Sequence, residues 1–276
     1  LGFEIEEKTE KAIKKLAPTL EKISAERICA ELEKLILSDN PDKLIEAYNL
    51  GITKVVLPEF DAMMECKQDT PYHMYNVGEH TIKVMENVEK TRVMRFAALL
   101  HDVAKPDVHT FDTRSHFKGH AIAGVEKANK IMRRLKMDNK TIGLVKRLVA
   151  CHDDRPVERG RSEEKVRRSV HKIGKDIYPL YLQLVNADFA GKSEYGREKG
   201  YDDYLYVVET FNKIVDEEQC TCSAELNITG KEMIAMGVKP GPKIGDIFDR
   251  LLDMVLENPQ LNENEKLREL VLEFNV

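Results

Sequence analysis

Three observations predict an all-α protein. Apolar residues recur at helical spacing along nearly the whole chain, no run alternates apolar and polar residues for more than a few positions, and helix-starting and helix-ending residues fall between the periodic segments. Positions 6–17 and 24–37 read as amphipathic helices, the second with Ser24 as its N-cap. Asn40-Pro41 opens a further helix that Gly51 ends, and ITKVVLPEF is a short apolar turn that reaches Pro58. A central block from about 61 to 215 holds all eight histidines, with helical patterns over 76–89, 92–102, 141–152 and 176–190 and a further helix opened by His120. The stretch DEEQCTCSAELNITG reads as a linker to two last helical patterns, which flank the turn GVKPGPKIG from Gly237 to Gly245. Three regions result: 1–60, 61–215 and 216–276.

With 276 residues, 33% charged and 42% apolar, the chain has the balance of a soluble globular protein and ample length to bury a core. No apolar run approaches the roughly 18 residues of a membrane span. The start, LGFEIEEKTEKAIKK, has neither the basic nor the apolar region of a signal peptide, and it lacks an initiating Met, which suits a processed product or a fragment of a longer chain. Five cysteines, Cys29, Cys66, Cys151, Cys220 and Cys222, are too scattered for a disulfide framework or a structural zinc site, so reduced thiols and a cytoplasmic setting are expected. A net charge of −5 excludes a uniformly basic nucleic-acid binder. Two local runs are basic all the same. One carries Arg133, Arg134, Lys136, Lys140, Lys146 and Arg147 against the single acid Asp138; the other carries Arg155, Arg159, Arg161, Lys165, Arg167 and Arg168. Each is either a solvated helix face or a surface that tracks phosphates.

Chemistry enters where polar residues fall on apolar helix faces. On 76–89, Val77, Val84 and Val88 share a face with His80; on 92–102, Val93, Phe96, Ala97 and Leu100 form a stripe that His101 continues. Val145, Leu148 and Val149 lead to His152, and Tyr181, Leu184 and Val185 lead to Asp188. Gly124, Ala128, Ile131 and Leu135 run down one side of the helix that His120 opens. One buried His is more often a hydrogen-bonded core residue than a ligand. An unpaired buried carboxylate, however, costs several kcal/mol or neutralises. Five helices that each aim such a group inward are better explained by a shared cation. Imidazoles and carboxylates together offer mixed N/O ligation, suited to an open Mn, Fe, Co, Ni or Mg centre rather than to a Cys-rich zinc site. No P-loop, G-x-S-x-G or dinucleotide-binding GxGxxG competes.

His80, then His101-Asp102, then Asp188 resemble the H…HD…D signature of the HD superfamily of metal-dependent phosphohydrolases, and His120 in FKGHAIAGVE and His152 in LVACHDD match the extra histidines of its two-metal members. The resemblance implies that His80, His101, Asp102 and Asp188 hold one divalent ion and that His120 and His152, with Asp102 bridging, hold a second. His101, Asp102 and Lys105 become the catalytic candidates. A divalent ion brings the pKa of water down toward neutrality, and an ion pair clamps an in-line phosphoryl displacement. Lys105, four residues after His101, is placed to reach a phosphate oxygen or leaving group, unless it is a surface cation at a helix end. Arg114 and Lys118 are further phosphate-clamp candidates, and His73 resembles a supporting or substrate position of some relatives. His109, His116 and His171 read as ordinary polar residues.

Beyond this core, LGFEIEEKTEKAIKKLAPTLEKISAERICAELEKLI, LGITKVVLPEF and TPYHMYNVGEHTIKVM look like the neck and body of an HD-bearing bacterial CCA-adding tRNA nucleotidyltransferase, and LNITGKEMIAMGVKPGPKIGDIFDRLLDMVLENPQLNENEKL is similar to its tail. The resemblance implies that the tail turn contacts tRNA, with Lys239 and Lys243 against phosphates. The family's Gly-Ser nucleotide-binding segment, DxD pair and E-D-x-x-R motif do not occur in the sequence, so the chain is expected to begin where the polymerising machinery ends and to add no nucleotides by itself. The expected activity is hydrolysis of 2′,3′-cyclic phosphodiesters or phosphomonoesters on nucleotides or RNA ends. The alternatives are a tRNA-binding body and tail with a vestigial HD site, or a free-standing HD nucleotidase or signalling phosphodiesterase.

Overall fold

Short polar side chains set the helix starts that matter most. Asn76 Oδ1 accepts from the Glu79 backbone N–H at 2.8 Å while Glu79 Oε2 accepts from the Asn76 N–H at 3.2 Å, a reciprocal cap. Thr91 Oγ1 accepts from Met94 N at 3.3 Å, and Asp138 Oδ1 from Thr141 N at 2.9 Å. A computed structural model describes residues 5–274; residues 1–4, which open the neck-like segment, and 275–276 lie outside the described residues.

The helices are α1 (Glu7–Leu16), α2 (Ala25–Leu37), α3 (Lys43–Asn49), α4 (Thr53–Val56), α5 (Pro58–Glu65), α6 (Val77–Glu86), α7 (Arg92–Leu100), α8 (Lys105–Val108), α9 (His120–Arg134) and α10 (Asn139–Cys151). There follow α11 (Glu163–Ile173), α12 (Tyr178–Ala190), α13 (Glu194–Asp216), α14 (Gly230–Ala235), α15 (Pro242–Glu257) and α16 (Asn264–Phe274). The protein is all-α. Its strands among the described residues, β1 (Thr110–Phe111) and β2 (Ser115–His116), form one antiparallel hairpin with Thr110 opposite His116. The periodicity over 6–17 extends one residue past α1, which tightens into a 3₁₀ turn at Ala17–Lys22 with Pro18 near its start. Ser24 occupies the N-cap of α2 without a side-chain bond, and the helix expected from Asn40-Pro41 begins at Lys43.

Two compact units divide the chain: Leu1–Asp153 with Pro179–Tyr201, and Asp154–Tyr178 with Asp202–Val276. In the first, α7 is the centre of the core, with Met94, Phe96, Ala97, Ala98, Leu99 and Leu100 all buried. It packs on α6 and α10, and α9 and α10 lie against each other. Each fully buried Phe, Leu or Met contributes about 1.5–3 kcal/mol, which holds α6, α7, α9 and α10 in fixed register. In the second unit Ile247, Leu251 and Val255 of α15 face Met233, Leu267 and Val271 in a separate core.

Candidate metal centre

Six polar side chains converge inside the first unit, and helix ends place half of them. His101 caps the C-terminus of α7 and His152 that of α10, while His120 is the first residue of α9. His80 lies within α6 and Asp188 within α12. His80, His101 and Asp188 each turn a ligand atom to a common point, all within 4.8 Å of one another, and Asp102, His120 and His152 do the same. Asp102 stands between the groups. Its Oδ2 is 3.1 Å from His101 Nε2 and 3.7 Å from His80 Nε2; its Oδ1 is 3.3 Å from His120 Nε2 and 3.5 Å from His152 Nε2. His80 Nε2 is 3.1 Å from Asp188 Oδ1.

Backbone carbonyls fix all four imidazoles. Nδ1 of His101, His120 and His152 donates to the carbonyl three residues earlier, Ala98, Phe117 and Val149, at 2.7, 2.9 and 2.8 Å. His80 Nδ1 donates to Gly191 O at 3.1 Å. A carbonyl only accepts, so each Nδ1 carries a proton and Nε2 is the ring nitrogen turned to the centre, where a cation would take its lone pair. The consequence is a test of fit for a cation. His120 Nε2 and His152 Nε2 lie 3.0 Å apart, so in the neutral rings two lone pairs face each other, and His101 Nε2 is buried without a hydrogen bond. This donor set, rich in lone pairs and poor in protons, fits one or two divalent ions.

Two lysines offset the carboxylates. Lys105 is buried, donates to Gln68 Oε1 at 2.8 Å and brings Nζ to 2.7 Å from Asp102 Oδ2, so it is not the surface cation that a helix-end position allows. Lys192 Nζ is 2.8 Å from Asp188 Oδ2. Burial alone would raise the Asp102 carboxyl, but His101 and Lys105 hold it well below the ordinary value. Burial pushes His101 down and Asp102 more than restores it, so its net shift is upward. Burial dominates at His120 and lowers it. His73 is pushed down to about 3 by burial, Lys105 and His80.

His73 lies beside the centre, its ring 5.6 Å from that of His80 and its Nδ1 2.9 Å from Thr70 Oγ1. Arg114, in the β1–β2 turn, and Lys118 are exposed and are not brought into the cluster. His109 bonds Ser115 Oγ, His116 pairs with Asp112, and His171 bonds Thr221 O. In the second unit Lys239 and Lys243 are exposed, Lys243 in the first turn of α15. Sequence reasoning missed Lys192 and Gln68. The spacing of four from Asp188 pointed to Lys192; nothing in the sequence pointed to Gln68.

The basic runs divide. Arg134 pairs with Glu59 and Asp138 with Arg92, while Arg133, Lys146 and Arg147 line a groove of about 610 Å³ between α9 and α10. In the second unit Arg167 is buried and donates to Leu256 O and Glu257 O, Arg161 pairs with Asp203, and Arg168 pairs with Glu164 and Asp253. These three have structural partners.

Residues 70–200 match the family model of the HD domain, and residues 2–64 match that of the probable RNA and SrmB-binding site of polymerase A. An HD domain places its residues in a superfamily of metal-dependent phosphohydrolases. The chain is 28% identical over 269 residues to the A-adding tRNA nucleotidyltransferase of Deinococcus radiodurans, covering 92% of this chain and 60% of that protein. It is 32% identical over 158 residues to a multifunctional CCA protein of Neisseria gonorrhoeae, 55% of this chain and 38% of that one. A multifunctional CCA protein of Vibrio vulnificus is 26% identical over 258 residues, 91% of this chain and 61% of that one. The chain thus spans about 60% or less of the length of these relatives. No helix among the described residues is long and apolar enough to cross a membrane.

Proposed function

We propose that this chain, which carries an HD domain and is homologous over most of its length to A-adding and multifunctional CCA tRNA nucleotidyltransferases, hydrolyses a phosphate ester of a nucleotide or RNA end at the His/Asp centre. The observation that carries the reading is the set of four imidazoles with every Nδ1 spent on a backbone carbonyl and every Nε2 turned inward. His80, His101, Asp102 and Asp188 would hold one ion, and Asp102, His120 and His152 a second. Mn, Fe, Co, Ni and Mg all suit this N/O set. When bound, such ions supply Lewis acidity toward phosphoryl oxygens and make water acidic enough to give up its proton near neutral pH.

The chain's own residues do the rest. Two carboxylates face two ammoniums, Asp102 with Lys105 and Asp188 with Lys192, so the side chains are close to neutral before any ion binds. A loaded site is therefore net positive and attracts a phosphate dianion. Lys105, held by Gln68 and Asp102, keeps a remaining N–H for a phosphoryl or leaving-group oxygen. Burial of His80, His101 and Asp102 excludes bulk water from the ligand atoms.

The match over residues 2–64 and the α9–α10 groove support RNA, tRNA in particular, as the partner, with Lys239 and Lys243 as further phosphate contacts. In this reading residues 1–60 and 216–276 grip RNA around a hydrolytic region at 61–215, His73, Arg114 and Lys118 line the approach, and the nucleotide-adding chemistry of the relatives lies outside this sequence. No disulfide joins the cysteines among the described residues, which supports a reducing, cytoplasmic setting. The decisive experiment is hydrolysis of 2′,3′-cyclic AMP and of 3′-phosphate RNA ends with each metal, wild type against Asp102→Ala. Equal turnover by the two proteins would refute the assignment; retained tRNA binding without metal or turnover would make the chain a binding module.

A further inference from the structure

Beside the centre, the isolated bridge between His73 and Lys192 carries an aromatic pair. The ring centroids of Tyr72 and Tyr195 are 5.3 Å apart at an interplanar angle of 52°. Both side chains are open to solvent, 39% and 43% exposed, and Met74, two residues after Tyr72, is 63% exposed. Lys199 Nζ stands 5.6 Å from the Tyr195 ring centroid. Burying such rings is worth more than leaving them wet, so an exposed pair held in place marks a surface with a use.

The pair is held in place. Ser193 N donates to Tyr72 O at 3.0 Å, Ser193 Oγ donates to Pro71 O at 2.6 Å, and Gly196 N donates to Ser193 Oγ at 3.1 Å. A Cβ at Gly196 would come within 2.8 Å of Tyr72 O, so only glycine allows the two segments this close. Both segments also run into the centre. Tyr72 precedes His73, whose ring meets the His80 ring edge-on at 5.6 Å. Tyr195 lies three residues after Lys192, the partner of Asp188. Each tyrosine is therefore one to three residues from a side chain that touches a candidate ligand, His73 against His80 and Lys192 against Asp188.

We infer that Tyr72 and Tyr195 form a nucleobase platform, on which the base of the substrate stacks while its phosphate sits at the His/Asp centre. This rests on reading the centre as a site for phosphate esters of nucleotides or RNA ends, and adds to that reading the residues that hold the base and so disfavour polyol and sugar phosphates. Stacking needs only a π-face, so the platform takes all four bases with modest preference, and Lys199 adds a cation for a neighbouring phosphate.

The chain contains no Trp, so Tyr195→Trp introduces a single indole reporter. Titrating this variant with 3′-AMP should quench its fluorescence saturably, whereas glycerol 2-phosphate, which has a phosphate but no base, should not. In hydrolysis, Tyr72→Ala and Tyr195→Ala should raise KM for 2′,3′-cyclic AMP by about 5- to 100-fold with a smaller change in kcat, and the loss should be several-fold less for glycerol 2-phosphate. Phe at either position should restore the nucleotide KM. Equal losses on the two substrates, or an indole signal that nucleotide does not move, overturns the platform. If the wild type hydrolyses no phosphate ester, the reading of the centre fails, while the fluorescence titration still decides whether the tyrosines bind a base.

Discussion

His120 Nε2 and His152 Nε2 lie 3.0 Å apart, and each ring's Nδ1–H is committed to a carbonyl, so in the neutral rings two lone pairs face each other. Two lone pairs at that distance repel, and a cation beside them removes the repulsion.

Divalent ions should therefore stabilise the folded chain. An ion held at 100 times its Kd adds about 2.7 kcal/mol, so melting in EDTA should occur several degrees below melting in Mn or Co. His152→Ala should shrink that difference. Identical melting with chelator and with every one of Mn, Fe, Co, Ni and Mg would show that the cluster holds no ion.

Asp102 turns one oxygen to His101 and the other to His120 and His152. Asp102→Ala should abolish metal binding in both groups at once and lower hydrolysis by at least about 100-fold, on the scale seen for lost catalytic electrostatics. His120→Ala should spare the group formed by His80, His101 and Asp188. Elemental analysis of the dialysed variants reads the stoichiometry; unchanged metal content in Asp102→Ala contradicts the bridging role.

Gly191 has a close neighbour: a Cβ there would stand 2.6 Å from His80 Nδ1. Gly191→Ala should push the His80 ring off its carbonyl, destabilise the fold by about 1–3 kcal/mol through overpacking, and weaken metal binding by about 10- to 100-fold through the lost support. Urea unfolding and metal titration report the two effects separately. Wild-type metal affinity in the variant would show that the carbonyl does not orient His80.

Glu59 accepts two bonds from Arg134 at 2.7 Å. Burial pushes its carboxyl up, but the guanidinium outweighs burial and the net shift is downward. A carboxyl depressed by folding contributes stability above its unfolded pKa of about 4.3, and loses that contribution as pH falls through the folded value. Arg134→Ala should cost less than about 1 kcal/mol at pH 7, since Arg134 is 45% exposed. The difference from wild type should narrow as the pH drops below about 4. A constant difference between pH 7 and pH 3 would mean that Arg134 acts through packing instead.

Five of the clustered residues, His80, His101, His120, His152 and Asp188, were legible because helical periodicity says which face of each segment is inward, while Asp102 was legible from the likeness of His101-Asp102 to the HD signature. Their supports were less so. Lys192 lies past the end of α12, where helical spacing no longer guarantees contact, and Gln68 reaches Lys105 from a loop. Two-residue strands are too short to show alternation, so the β1–β2 hairpin left no trace. Charge counting could not tell that Arg167 serves the carbonyls at the end of α15 while Arg133 and Lys146 remain at a groove. Tyr72 and Tyr195 are 123 positions apart, and only the fold brings their rings together.

His101 and His152 sit at the C-termini of α7 and α10. The carbonyl end of a helix carries roughly half a negative elementary charge and the amino end of α9, which His120 opens, the opposite, so the helix ends leave a weakly negative balance where Lys105 and Lys192 offset the carboxylates. Such a balance favours a cation over a phosphate in the empty chain, so under the proposed reading the ion should enter before the ester.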